Sequence, residues 1–226
     1  MSFEMYIFLI GLPLIFGLWA QFRVTTAFNK YKVLSVAAGV TGAETARRIL
    51  ADAGISDVDV VAIDGMLGDH YDPSQKRLCL STDVYQGDSI AAVGVAAHEC
   101  GHALQHQNNY GPLNFRMSIL PATQFASQIL PFVIIGGFFF RMTGLINLGI
   151  ACYVILMLFQ LITLPVEFDA SARAKLILRQ TGIIRPGEEA AGVNAVLNAA
   201  ALTYVAAFVA SLGNLIYLVL ARRDGR

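Results

Sequence analysis

IAAVGVAAHECGHALQHQ, residues 90 to 107, is the stretch on which the reading of this chain turns. Its first half is small and apolar, and its second half contains His98-Glu99-Cys100-Gly101-His102. Asp88 or Ser89 supplies an N-cap ahead of it, and Asn108, Asn109, Gly111 and Pro112 stop it, so a helix is predicted over 90–107. On a helix of about 3.6 residues per turn, side chains four apart leave the same face. The imidazoles of His98 and His102 can therefore meet a single Zn2+ at about 2.0 to 2.1 Å. Glu99 then stands beside the ion without binding it, where it can take a proton from water while the metal polarises a carbonyl. H-E-x-x-H on a helix thus points to metal-assisted hydrolysis of an amide bond. The bland alternative is a helix with two satisfied surface histidines. It sits poorly with the apolar run before the motif, because burial penalises polar groups that are neither paired nor metal-bound.

A hydrolytic zinc site normally has three protein ligands and one open position, so a third ligand is needed. PVEFDASARAKL, residues 165 to 176, brings the first acidic groups after a long apolar run. If it is helical, Glu167 and Asp169 diverge by about 200° and at most one of them reaches the metal. Glu167 is the favoured ligand; Asp169 reads as a helix N-terminal charge that suits the macrodipole. A donor to the carbonyl oxygen is also expected. His70, Tyr71, Tyr110 and Arg173 are candidates, with His70 and Arg173 first. His70 lies in a Gly- and Asp-rich loop, and Arg173 is six residues past Glu167, a little under two helical turns further on. An exposed loop histidine and an arginine snorkelling to lipid headgroups are the bland readings of these two. Cys79, Cys100 and Cys152 are odd in number and widely spaced, which fits neither a disulfide framework nor a zinc ribbon.

The surrounding chain is a membrane protein by composition: of 226 residues, 56% are hydrophobic and 14% charged. The net charge is zero, which excludes a broad basic surface for nucleic acid. Apolar runs at 3–22, 118–140, 144–165 and 197–221 are each long enough for a bilayer core of about 20 residues, and predict four transmembrane helices. The second and third form a hairpin around a tight turn near Arg141 to Gly144. Gln124 and Gln128 in the second are expected to bond across helices. Between the first two spans, 23–117 is polar enough for a small catalytic domain on the membrane. Thr41 and Glu44 make a capping box ahead of a short helix that ends at Gly54, and VDVVAI (58–63) and RLCLS (77–81) read as two strands, an antiparallel pair. RLCLST is expected to offer an edge for an extended peptide. The stretches 23–117 and 166–196 hold 12 of the 16 Lys and Arg, which predicts that both are cytoplasmic. Arg222, Arg223 and Arg226 fall on the opposite side under four spans. The expected fold is thus mainly α and multi-pass in the cell membrane, with a small α+β domain that carries the motif helix and faces the cytoplasm.

GVAAHECGHALQH and PVEFDASARA together closely resemble the neutral zinc metallopeptidases of bacterial membranes, the YugP-like family. They resemble more distantly the HtpX and CAAX-prenyl-protease type of membrane gluzincin. The resemblance covers nearly the whole chain, including HYDP at 70–73. It implies a zincin-like catalytic domain, a His98, His102 and Glu167 zinc site, and proteolysis of a membrane-associated or unfolded polypeptide. In the more distant relatives an Asp follows the ligand Glu by four residues and supports a zinc histidine. Ser171 stands there in this chain, so Asp169 or another carboxylate is expected to hold the histidine N–H instead. Two other readings compete. One is a membrane protein that binds zinc without catalysis; the other is an intramembrane protease of the site-2 type, for which residues 90–107 are too short and too polar at their flanks.

Overall fold

A computed structural model describes residues 3–65 and 68–224. In chain order the elements are α1 (Phe3–Tyr6), a π-helical turn (Ile7–Gly11), α2 (Leu12–Tyr31), α3 (Gly42–Asp52), β1 (Asp59–Ile63), β2 (His70–Asp72) and β3 (Arg77–Ser81). α4 (Thr82–Gln86), α5 (Ile90–Gln107), α6 (Gly111–Phe139), α7 (Thr143–Gln180) and α8 (Glu188–Asp224) follow. Two compact units divide the chain. One comprises the residues up to Gln21, Asn114–Pro165 and those from Leu202 on; the other comprises Phe22–Leu113 and Val166–Ala201.

The second unit is built around α5. Ser89, rather than Asp88, is its N-cap, with Oγ accepting from the Ala92 N–H at 3.1 Å. Ala91, Ala92, Gly94, Ala96, Ala97, Gly101 and Ala103 are all small, and this lets neighbouring backbones come close. Gly94 lies against Val193 of α8, and a Cβ added at Gly101 would stand 2.6 Å from the Ala170 carbonyl oxygen of α7. Glycine in a helix interior costs roughly 0.5 to 1 kcal/mol relative to alanine, and at Gly101 that cost secures the contact with α7. The core around α5 includes Ile49, Leu78, Leu80, Ile90 and Val193, each buried to 2% exposure or less. Large apolar side chains buried this way contribute about 1.5 to 3 kcal/mol each.

α3 starts at the expected capping box: the Glu44 N–H donates to Thr41 Oγ1, and the Thr41 N–H donates to Glu44 Oε2. The hydrogen bond from the Thr41 backbone holds the Glu44 carboxyl below its usual pKa. The sheet differs from expectation. It has three strands in the order β1-β3-β2, with β1 parallel and β2 antiparallel to β3. HYD, whose His70 was placed in a loop from sequence, is the extra strand. It reverses the chain into β3, so β3 runs in the direction of β1. The turn is fixed by Asp72, whose carboxylate accepts from the Ser74 and Gln75 N–H groups. β3 is therefore central, and its Ser81 N–H donates to Asp69 at 2.7 Å. The expected peptide-binding edge at RLCLST does not exist.

The described residues of the first unit are helical apart from a turn at 140–142. Four helical stretches, Phe3–Tyr31, Gly111–Phe139, Thr143–Gln180 and Glu188–Arg223, are long and apolar enough to cross a membrane. Each overruns the span read from hydropathy, because helical backbone continues past the first charged residues. α6 and α7 form a hairpin in which the Met142 N–H donates to the Gly137 carbonyl and Arg141 turns the chain at φ 53°. Gln124 and Gln128 lie exposed on α6, and neither bonds across helices among the described residues; α6 packs through Ala126 and Leu130 instead.

Candidate metal centre

The site lies wholly within the second unit, where α5 crosses α7. His98 and His102 leave α5 on one face, four residues apart, and Glu167 and Ser171 leave α7 with the same spacing. The His98 Nε2 and Glu167 Oε2 atoms are 3.2 Å apart, and His102 Nε2 and the same oxygen are 3.5 Å apart. Ligand atoms of all three residues lie within 4.8 Å of one another. Glu167 is only 2% exposed. The Gly101 contact with Ala170 lies one turn from Glu167, and this close approach of two backbones brings the carboxylate to the two rings.

The outer ring nitrogens are also engaged. His98 Nδ1 meets Ser171 Oγ at 3.1 Å, and His102 Nδ1 meets Gln105 Oε1 at 3.0 Å. Gln105 has no exposed surface. Its amide nitrogen donates to the Val166 carbonyl at 2.7 Å and to Asp169 Oδ2 at 2.8 Å. Both amide protons are thus spent on acceptors, so the Gln105 oxygen must face His102, and His102 must carry its proton on Nδ1. That leaves the His102 Nε2 lone pair directed at a carboxylate oxygen. Two lone pairs facing each other repel unless a cation sits between them, so this donor set fits a divalent metal. Burial acts to depress the His102 pKa, yet hydrogen bonding to Glu167 and the charges of Glu99 and Glu167 outweigh it and raise the value. The pocket therefore carries the negative field a metal cation needs.

Asp169 also accepts from Arg173 Nε at 2.6 Å, and the Arg173 guanidinium lies 5.9 Å from the centre of the Tyr110 ring. A chain His102, Gln105, Asp169, Arg173 thus runs back from the metal-facing ring. Asp169 supports the histidine at one remove, through Gln105, while Ser171 contacts His98 directly. Sequence reasoning missed Gln105 and Gly101; their only signals are a buried polar residue three after His102 and a glycine inside the motif. Glu99 is 7% exposed, and its carboxylate forms no hydrogen bond to a described residue.

His70 is not part of this group. It is exposed at the start of β2, its Nδ1 2.7 Å from the Gly68 carbonyl. Tyr71, the next residue, points its hydroxyl at His106 Nδ1 at 2.8 Å, one helical turn past His102. Burial, assisted by the charges of Asp57 and Asp72, raises the Tyr71 pKa. Tyr71, Ala103, His106 and Gln107 help line a cavity of about 500 Å³ that none of the three metal-facing residues reaches. Cys100 is fully buried with its thiol against the Ala46 carbonyl, away from the triad, and burial pushes its pKa up.

Residues 6–223 match the family described as "Putative neutral zinc metallopeptidase". Over 222 residues the chain is 50% identical to the "Putative membrane protease YugP" of Bacillus subtilis (strain 168), an alignment covering 98% of each chain. No solved structure matches.

Proposed function

From a chain that belongs to the neutral zinc metallopeptidase family, we propose a membrane-embedded zinc-dependent endopeptidase with a zincin-like catalytic domain. The observation that carries this reading is the convergence of His98, His102 and Glu167, with Glu99 adjacent to His98 and without a hydrogen bond to a described residue. His98 Nε2, His102 Nε2 and a Glu167 oxygen would hold the ion. Zinc bound there supplies Lewis acidity toward a peptide carbonyl and toward water.

The chain's own groups account for the proton traffic. Glu99 takes a proton from water as the oxygen adds to the carbonyl carbon, then delivers it to the nitrogen as the C–N bond breaks. Arg173, through N–H groups other than the one on Asp169, and His70 remain the candidates to donate to the carbonyl oxygen. Gln105 and Ser171 hold the two rings in register, which fixes the direction of their lone pairs. The substrate is a polypeptide, membrane-associated or unfolded, and by charge placement the site faces the cytoplasm in a multi-pass cell-membrane protein. α5 is not among the helices apolar enough to span, which supports this reading over a site-2-type protease.

Glu99→Gln provides the test. The purified variant should keep one zinc per chain and lose at least about a thousandfold in turnover of an unfolded protein substrate, within the range for a lost general base plus its companion effects. Unchanged turnover, or wild-type protein with zinc but no proteolysis, would point instead to a metal site without catalysis.

A further inference from the structure

α7 changes character where it leaves its apolar stretch, but only on one side. Past Pro165 the polar groups Glu167, Asp169, Ser171 and Arg173 face α5 or its neighbours, while Phe168, Ala172 and Leu176 are exposed. This is the reverse of a helix on a water-soluble domain. α3, in the same unit, shows the ordinary arrangement, with Glu44, Arg47, Arg48 and Asp52 outside and Ala46, Ile49 and Leu50 inside.

The exposed face of α7 is also too long for a simple span. Every exposed position from Leu148 to Leu176 is apolar, and the first charge on that face is Arg179. Phe168 is 48% exposed and Leu176 56%, as open as Leu158 at 43% and Leu161 at 46% in the apolar stretch itself. The 28-residue rise amounts to about 42 Å at 1.5 Å each. A hydrocarbon core is about 30 Å thick, and core plus headgroup layers about 40 to 45 Å. The stripe therefore matches the full bilayer rather than its core. Centred on that thickness, Phe168 falls inside the hydrocarbon edge and Leu176 among the headgroups, where Arg179 can reach phosphate.

We propose that the outer face of α7 from Phe168 to Leu176 is a lipid-contact surface, which sets the Glu167 side of the metal centre at the depth of the membrane interface. Continuity with the apolar face above Pro165 and the inverted polarity argue for lipid as the occupant. If the proteolytic reading holds, the substrates are polypeptide segments lying in or entering the headgroup layer, not chains free in solution.

The test does not need activity. Trp19 is the single tryptophan, so Phe168→Trp and Leu176→Trp are each made in a Trp19→Phe background and reconstituted in nanodiscs containing brominated phosphatidylcholines. Quenching of the Phe168→Trp signal by bromines in the acyl chain, and of Leu176→Trp by bromines near the carbonyls, is the expected result. Quenching of both by aqueous iodide alone would overturn the proposal, and so would silence to both quenchers, which would mean cover by protein or a second copy. A second probe covers a failure of the Trp19 background to fold. Leu176→Cys in nanodiscs should react with a water-soluble maleimide at least about tenfold more slowly than Asp52→Cys on α3, and equal rates would overturn the proposal. Loss of proteolysis in Glu99→Gln leaves all these readouts unchanged, so the two readings fail separately.

Discussion

The two helices that meet at the candidate metal centre were positioned by different kinds of information. α5 is settled locally: its cap, its stop signals and the four-residue spacing of His98 and His102 all lie within one continuous stretch. α7 is settled by packing: residues 165–176 single out Glu167 as a candidate ligand without saying how near to α5 it will come, and the decisive feature is a missing side chain on the partner, Gly101. A motif therefore fixes half of such a site, and the other half depends on how closely two backbones can approach.

The comparison can be broken most severely at its meeting point. Glu167→Ala removes the α7 contribution while leaving α5 intact; zinc content should fall from one per chain to near zero, with helicity by circular dichroism unchanged. Retained stoichiometric zinc would mean that α5 alone suffices. Gly101→Ala attacks the approach itself. The added Cβ meets the Ala170 carbonyl oxygen at 2.6 Å, so overpacking should cost about 1 to 3 kcal/mol and lower zinc affinity although no ligand has changed. A thermal melt and a competitive chelator titration would check it, and an unaffected site would show that α7 can slide without penalty.

Gln105→Leu sharpens the comparison further, since Gln105 belongs to α5 but binds Val166 and Asp169 of α7. Loss of a group that orients a metal-binding histidine typically weakens the metal by about 10- to 100-fold, and that range is expected here. An affinity equal to wild type would remove Gln105 from the support of His102. Acid should release the metal, because protonated imidazole cannot bind it. The raised His102 pKa places the onset of release above the pH that an ordinary histidine would give, measurable as zinc retained after dialysis at stepped pH. The smallest effect belongs to a residue outside the comparison. Thr41→Ala removes the α3 cap and should cost about 0.5 to 2 kcal/mol in the melt without altering zinc affinity.

What could be read from the sequence follows the same division. The α5 limits and the Thr41–Glu44 box are local, and the structure has them as expected; of the two caps left open for α5, Asp88 and Ser89, it uses Ser89. β2 was missed because three residues ending at Asp72-Pro73 carry a turn signal stronger than any strand signal, and without β2 the parallel pairing of β1 with β3 is invisible. The spans ended in the reading where charge begins, whereas α7 runs on to Gln180. Ser171 was recognised as a departure from distant relatives. That a hydroxyl and a buried amide could share the work of one carboxylate required the positions of both helices.

X-ray absorption at the zinc K-edge, on the purified wild type and on Glu167→Ala, tests the central claim most directly. The account predicts a wild-type first shell of nitrogen and oxygen only, near 2.0 to 2.1 Å, with outer-shell scattering from two imidazoles, and loss of bound zinc in the variant. A sulfur shell near 2.3 Å, or an unchanged wild-type spectrum in Glu167→Ala, would contradict it.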